Sequence, residues 1–195
     1  MFKKLGVMEK RRIFIAINLP EEMKEELFNF SKKWPTLPCR WVRKDNLHLT
    51  LVFLGYLREE ELTEVLKITK EVVQNHQSFS VSLNKVCYGP DQRMPPRLVW
   101  VKGEKSEELS KLKNDLEKSL SEKIRLTPEN RDFLPHITLG RIKKWNWKRI
   151  EPEERQDVNL EVSFKVQINS IEVMESHLKR TGAEYEVLKS FKLEP

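Results

Sequence analysis

At 195 residues the chain can bury a substantial core, and it fits one domain of two small lobes, spanning 1–195, more easily than two independent domains. Lysine and arginine number 36 against 30 aspartate and glutamate, giving a net charge of +6 and a pI near 9.2, which suits a polyanionic partner and equally suits a plain charged surface. Cys39 and Cys87 lack C-x-x-C spacing and are too few for a disulfide scaffold, which fits a reducing cytoplasm and leaves a single bridge open; the short apolar run Ile13 to Ile17 behind Glu9 to Arg12 argues against a signal peptide or membrane span.

Residues 12 to 18 (RIFIAIN) read as a buried strand, and Leu19-Pro20-Glu21-Glu22 opens a helix with the stripe Met23, Leu27, Phe30 and Trp34, ended by Pro35 and Pro38. A short strand from Arg40 to Arg43 leads to a longer one from Asn46 to Leu54, closed by Gly55. From Glu59 to about His76, apolar residues at 62, 65, 66, 69, 72 and 73 predict an amphipathic helix. Strands follow at about Ser78 to Tyr88 and Arg97 to Val101, expected as an antiparallel ribbon. A third helix from about Ser106 to Lys123 carries Leu109, Leu112, Leu116 and Leu120, and a polar stretch runs on to a strand at His136 to Ile142. Candidate strands at Glu161 to Ser176 and Glu184 to Leu193, joined through Thr181-Gly182, read as a long hairpin. Strands outnumber helices, and several are hairpin-linked. The expected class is α+β, two-lobed, with mostly antiparallel sheets facing a central cleft and helices on the outer faces.

Two of these strands carry the same pattern, His48-Leu49-Thr50-Leu51 and His136-Ile137-Thr138-Leu139. With four His and seven Thr in the chain, chance predicts roughly 0.14 His-x-Thr matches. Residues i and i+2 of a strand share a face, so each motif pairs one imidazole with one hydroxyl. One such histidine alone would read as a hydrogen-bonded sheet residue. Two pairs supply a general base, a general acid and two donors for an anion, because an imidazole titrates near pH 6.5 and the two rings can hold opposite protonation states. In-line displacement at phosphorus needs a base and an acid on opposite sides of the phosphate, and hydroxyl donors favour its charge-rich transition state. Arg141 lies at i+5 from His136, on the opposite face of an ideal strand; a bulge near Gly140 would turn it toward the motif as a phosphate clamp, and otherwise it is a surface arginine.

Other chemistries lack support. No G-x-x-x-x-G-K-[ST] or G-x-G-x-x-G cradle and no G-x-S-x-G elbow is present, and the histidines and cysteines lack metal-ligand spacing, so neither cofactor nor metal is expected. His76 reads as packed at the edge of its helix, and His177 as lying in a loop. Arg40, Arg43 and Lys44 before the first motif, with Arg141, Lys143, Lys144, Lys148 and Arg149 after the second, suggest a track for RNA. Trp145 and Trp147 would either stack bases along it or fill the core.

The pattern resembles the two-histidine phosphoesterases, specifically the RNA 2′,3′-cyclic phosphodiesterases also named 2′-5′ RNA ligases. The resemblance rests on Arg12 to Ile17, Arg40-Trp41-Val42, Asn46 to Leu51, Phe53-Leu54-Gly55, Pro96 to Trp100, Phe133 to Arg141 and the tail Gly182 with Tyr185 to Leu188. It implies a two-lobed α+β fold, one motif per lobe, no metal requirement, His48 as proton donor and His136 as proton acceptor, with Thr50, Thr138 and Arg141 on the phosphate. The implied reaction is hydrolysis of an RNA terminal 2′,3′-cyclic phosphate to a 2′-phosphate, with joining of tRNA halves through a 2′-5′ bond as its reverse. The expected partner is RNA with such ends and not a membrane, and the expected state is a monomer. Tyr56 stands where relatives often carry an acidic residue, which bears on substrate preference. Two alternatives remain: a nucleotide or RNA binding module without turnover, and a phosphodiesterase of small cyclic nucleotides such as ADP-ribose cyclic phosphate.

Overall fold

A computed structural model describes residues 10–90, 94–126, 133–180 and 182–195. Among them, strands β1 (Arg11–Asn18), β2 (Cys39–Trp41), β3 (His48–Leu57), β4 (Phe79–Gly89), β5 (Leu98–Gly103), β6 (His136–Ile142), β7 (Leu160–Ile168), β8 (Ser170–Lys179) and β9 (Gly182–Lys192) form one antiparallel sheet. Its order is β7-β4-β5-β6-β3-β1-β8-β9, with β2 also on β6. Helices α1 (Glu21–Asn29), α2 (Glu59–Val73), α3 (Glu107–Ser121) and α4 (Lys144–Lys148) complete the α+β architecture.

The helices form where apolar residues recur at helical spacing. In α3, Leu109, Leu112, Leu116 and Leu120 are all fully buried, and the Ser106 hydroxyl accepts the Leu109 N–H at 3.1 Å to cap the first turn. In α2 the stripe Leu62, Val65, Thr69, Val72 and Val73 is buried, joined by Ile68, while Leu66 sits at its margin. This helix ends at Val73 rather than His76, because Asn75 and His76 turn their N–H groups onto Val72 and Val73, the tighter i to i+3 closure. His76 itself is buried and bonds Asp115 of α3 at 3.0 Å, tying the two helices together.

Three strand expectations change. β3 does not stop at Gly55 but runs to Leu57: Gly55 takes φ +76°, which lets the strand absorb an extra residue opposite Ile13 and Phe14 and continue. The run from Glu161 to Ser176 is two strands split at Asn169, β7 pairing with β4 and β8 with β1. His177 lies within β8 rather than in a loop; the β8–β9 hairpin is present, and Thr181 at its tip lies outside the described residues, as does most of the polar stretch before His136.

The split at Asn169 dictates the shape. β7 and β8 are six strand spacings apart in the sheet, about 29 Å if it were flat, yet the single residue between them spans only about 7 Å. The sheet is therefore bent back until its ends meet. There the Leu193 N–H bonds the Asn169 carbonyl at 2.9 Å, the Ser78 N–H bonds Glu194 at 2.7 Å, and Gln77 bridges Glu194. Between the halves on either side of the bend, β7-β4-β5-β6 and β3-β1-β8-β9, the ladder of β3 with β6 is a single residue pair, Leu49 and Ile137. These are the central residues of the two motifs, and both are fully buried.

Cys39 and Cys87 are buried, unbridged thiols on β2 and β4. Desolvation pushes the Cys39 thiol up to about 12, so it stays a packing group. Its sulfur lies where a side chain on Gly140 would sit, with the Trp41 ring 3.0 Å from the same point. The close approach of β2 to β6 therefore requires glycine at the end of the second motif.

Candidate active site

The Leu49–Ile137 pair sets the geometry of the site from below. With those two side chains in the core, strand alternation turns His48, Thr50, His136 and Thr138 to the opposite face. The antiparallel register sets His48 across from Thr138 and His136 across from Thr50. All four line a cleft of about 540 Å³, together with Arg12, Asn46, Phe53, Arg141, Ser176, Leu178 and Tyr185.

A bulge brings Arg141 there. On β6, Gly140 pairs with Val99 and Thr138 with Trp100, so Leu139 is an extra residue and the alternation flips after it. Arg141 thereby returns to the face of His136 and Thr138. Neither Arg141 nor Arg12 forms an ion pair among the described residues, and no carboxylate appears among the described residues lining the cleft. The site presents two free guanidinium groups to whatever anion enters.

Both imidazoles are held in the same tautomer. The His48 Nδ1–H donates to the Asn46 carbonyl at 2.7 Å, and the His136 Nδ1–H donates to the Leu134 carbonyl at 2.9 Å. Since a carbonyl only accepts, each Nε2 carries the proton-exchanging lone pair toward the cleft. Ring contacts fix their planes: His48 lies 5.1 Å from both Phe14 and Tyr185, and His136 lies 4.5 Å from Trp100. The two are not equivalent. Thr50 donates its hydroxyl to the His48 Nε2 at 2.9 Å, whereas the His136 Nε2 has no protein partner among the described residues. Burial pushes the His48 imidazole below its ordinary value, the Asn46 carbonyl opposes this by favouring the protonated ring, and His136 pushes it down again. Two imidazoles that repel each other's charge hold one proton between them more readily than two.

Asn46 has a second function. Its Nδ2 donates to the Ala183 carbonyl at 2.6 Å, tying the tip of the β8–β9 hairpin to the residue whose carbonyl orients His48. Arg43 pairs with Glu184 at 3.3 Å beside it, and the Arg40 guanidinium lies against Gly182, where φ is +136°. One end of the cleft is closed by these contacts.

Sequence reasoning did not single out Asn46, Phe14, Phe53, Arg12, Leu178 or Tyr185 as cleft residues. The aromatic ones read as ordinary strand residues, and only their pairing partners place them beside His48. The basic residues expected to form a track divide in two: Arg43 is paired with Glu184 and Lys44 with Glu21 and Glu25, whereas Arg141 and Lys144 are unpaired among the described residues. The tryptophans divide likewise, Trp147 being buried and Trp145 exposed.

Among the described residues one group of side chains is placed to hold a metal ion: Glu175, His177 and Glu186, on the face of β8 and β9 turned away from the cleft. Glu175 is already taken up by Arg11, whose Nε and Nη2 donate to one carboxylate oxygen at 2.9 and 2.6 Å, and the group has no contact with either motif. Among the described residues no helix is long and apolar enough to cross a membrane.

Known proteins resemble this chain over most of its length. A protein from Methanocaldococcus jannaschii named RNA 2′,3′-cyclic phosphodiesterase is 29% identical over 92% of this chain and 99% of its own length. One of the same name from Thermotoga maritima is 31% identical over 91% and 92%. Among solved structures, TT0787 of Thermus thermophilus superposes with a TM-score of 0.79 at 29% identity, covering 93% of this chain and 97% of that one. E. coli LigT complexed with 3′-AMP gives 0.75 at 27% identity, covering 96% and 100%. The family model for LigT-like phosphoesterases matches in two segments, residues 17–100 and 101–185, and each segment contains one motif of the pair facing the cleft. With the family model matching most of the chain and a relative 31% identical over nearly its whole length, this chain belongs to the LigT-like phosphoesterase family.

Proposed function

We propose that the protein hydrolyses the 2′,3′-cyclic phosphate at the end of an RNA strand to a 2′-phosphate by paired acid-base catalysis. The observation that carries this reading is the presentation of two Nε2 atoms, each with a threonine beside it, to one cleft that holds two unpaired guanidinium groups. The His136 Nε2, free of protein partners among the described residues, takes a proton from water as its oxygen attacks phosphorus. The P–O3′ bond opposite breaks, and His48 delivers its Nε2 proton to the departing 3′ oxygen.

His48 protonation also resets Thr50. While His48 is neutral, its Nε2 accepts the Thr50 hydroxyl; once protonated it cannot accept, and that hydroxyl becomes free to donate to a non-bridging oxygen. Thr138 and Arg141 complete the cradle, so the donors gather as the charge they stabilise arrives. With a 5′-hydroxyl in place of water the same steps form a 2′-5′ linkage, as tRNA halves would require. No step asks for a metal. The reading includes a monomer acting in the cytoplasm; the two buried, unbridged thiols support a reducing compartment.

The test is incubation of the purified protein, in EDTA, with an oligoribonucleotide ending in a 2′,3′-cyclic phosphate. A 2′-phosphate product is expected. A 3′-phosphate would exchange the two histidine roles, and binding without turnover would leave a binding module instead. The pH profile gives a second check. His48 must be protonated to act, and burial holds its imidazole below the ordinary value in the free enzyme, so kcat/KM should fall on the alkaline side. Bound anionic substrate raises the His48 value, so the alkaline limb of kcat should lie at higher pH than that of kcat/KM. Coincident limbs would show that the phosphate does not act on His48.

A further inference from the structure

Beyond Arg141 a second groove, of about 670 Å³, runs along Met94, Pro95 and Arg97 to Ile142 and Lys144. Arg141 lines both this groove and the active-site cleft, so the two adjoin at its side chain. Its cations are available. Arg97, Arg141 and Lys144 make no ion pair among the described residues, in contrast to Arg43 and Lys44 on the other side of the cleft.

Next to Lys144 stands the most exposed tryptophan of the chain. Of five tryptophans, Trp34 and Trp147 are buried, Trp41 and Trp100 are partly covered, and Trp145 is 79% exposed. Its position is not an accident of a loose segment. Trp147, two residues on, anchors α4 by packing edge-on against Tyr88 at 5.2 Å beneath the Arg155 guanidinium, and its N–H bonds the Lys143 carbonyl at 3.0 Å. That anchor holds Trp145 outward with the Lys148 ammonium 5.9 Å from its ring centre. Exposing an indole on a fixed element leaves its apolar area in water, and among the described residues only the Lys148 side chain lies near its ring. A flat ring among unpaired cations is the combination by which single-stranded nucleic acid is held without base-specific contacts.

We infer that this groove binds the nucleotides on the 5′ side of the reacting terminus of a single-stranded RNA, with phosphates on Arg97 and Lys144 and a base on Trp145. The inference rests on the reading of the cleft as a cyclic-phosphodiester site. A 2′,3′-cyclic phosphate occupies the last ribose of a strand, so the remainder of the strand must leave from the 5′ oxygen of that ribose. The end of the cleft at the β8–β9 hairpin is closed by the Arg43–Glu184 pair and the Asn46 bond to Ala183. The Arg141 side is open, basic and lined by apolar Met94 and Pro95. A strand leaving that way exchanges the counterions of its phosphates for fixed protein cations.

The experiment compares a 2′,3′-cyclic mononucleotide with a cyclic-ended oligoribonucleotide of about six nucleotides, using wild type, Trp145→Ala and the double variant Arg97→Ala/Lys144→Ala. Thermal denaturation checks that these surface changes leave the protein folded. Wild type should show a lower KM for the oligomer. Trp145→Ala should raise the oligomer KM roughly tenfold, the size of one lost stacking contact, and the double variant should raise it further, with kcat little changed. Neither variant should alter kcat/KM for the mononucleotide. In parallel, anisotropy of a labelled oligomer ending in a 2′-phosphate should give a salt dependence whose log-log slope becomes shallower by about 0.7 for each cation removed. Equal losses on both substrates, no wild-type preference for the oligomer, or an unchanged oligomer KM and salt slope would each overturn the inference. Wild type that hydrolyses neither substrate, yet binds the oligomer with this dependence on Arg97, Lys144 and Trp145, would remove the proposed activity and leave the groove standing.

Discussion

His136→Ala is expected to lower the single-turnover rate by about 10²- to 10⁴-fold, and His48→Ala by a similar factor, while both proteins remain folded. The size follows from the part each ring plays: each contributes one proton transfer at opposite sides of one phosphorus, through an Nε2 that faces the same cleft. Groups that act as a unit do not lose their effects additively, so the double variant should be little slower than either single one. The pH profiles should separate the roles. His48→Ala should lose the alkaline limb and His136→Ala the acid limb. Each substitution strands a backbone carbonyl, Asn46 or Leu134, at a half-open site, which costs about 1 kcal/mol and lowers Tm by about 2–4 °C. Should the melting temperature fall much further, His48→Asn and His136→Asn, which keep a polar side chain, provide the comparison. Substantial turnover in either alanine variant would end the paired mechanism.

Leu49→Ala is expected to be the most damaging change outside the cleft. Leu49 is fully buried, and with Ile137 it makes the one ladder pair between β3 and β6, where the halves of the sheet meet at the site. Truncating a buried leucine costs about 2–5 kcal/mol through lost transfer energy and the cavity left behind. At about 2–4 °C of Tm per kcal/mol for a chain of this size, melting should drop by roughly 4–20 °C. The same truncation frees His48 and Thr50, which flank it, to shift against His136 and Thr138. Turnover measured well below the new melting temperature should therefore also fall, whereas Leu49→Met, close in volume, should keep both properties within about 1.5 kcal/mol of stability. Leu49→Ala with wild-type rate and melting temperature would mean that the junction does not set the geometry of the site.

Particular residues show how far the sequence could be read. Leu109, Leu112, Leu116 and Leu120 announced α3 because a single stripe at 3.6-residue spacing has one interpretation. The two His-x-Thr strands were legible because strand alternation alone decides that each His and Thr share a face. Arg141 marks the boundary of that logic: alternation points it away, and only the extra residue Leu139, visible in the pairing of β6 with β5, turns it back. The break at Asn169 is marked only by a change of phase, from apolar residues at even positions up to Ile168 to Ile171 and Val173 at odd ones, with no glycine or proline to announce it. Phe14 and Tyr185 were hidden for a different reason. An aromatic residue in a strand is equally at home in a core or beside a ring at a catalytic site, and only the strand order brings these two to His48. Trp145 and Trp147, two apart on a five-residue helix, could not be told apart until the packing of one against Tyr88 showed which way α4 faces.

The single-residue link at Asn169 also bears on how the protein is made. One half of the sheet, β4 to β7, comes from the nearly continuous stretch between Phe79 and Ile168, whereas the other combines β1 and β3 with β8 and β9 from the opposite end of the chain. During synthesis from the N-terminus, β1 can pair with β3 early, but its second edge stays open until the segment after Asn169 emerges. Contacts of such long sequence separation slow folding, since the loop must close before its pairing is gained. Tyr185 belongs to that late segment and packs directly on His48. Completion of the ring pocket around the first histidine thus waits for the segment after Asn169, and a nascent polypeptide that lacks it carries the motif without its full setting.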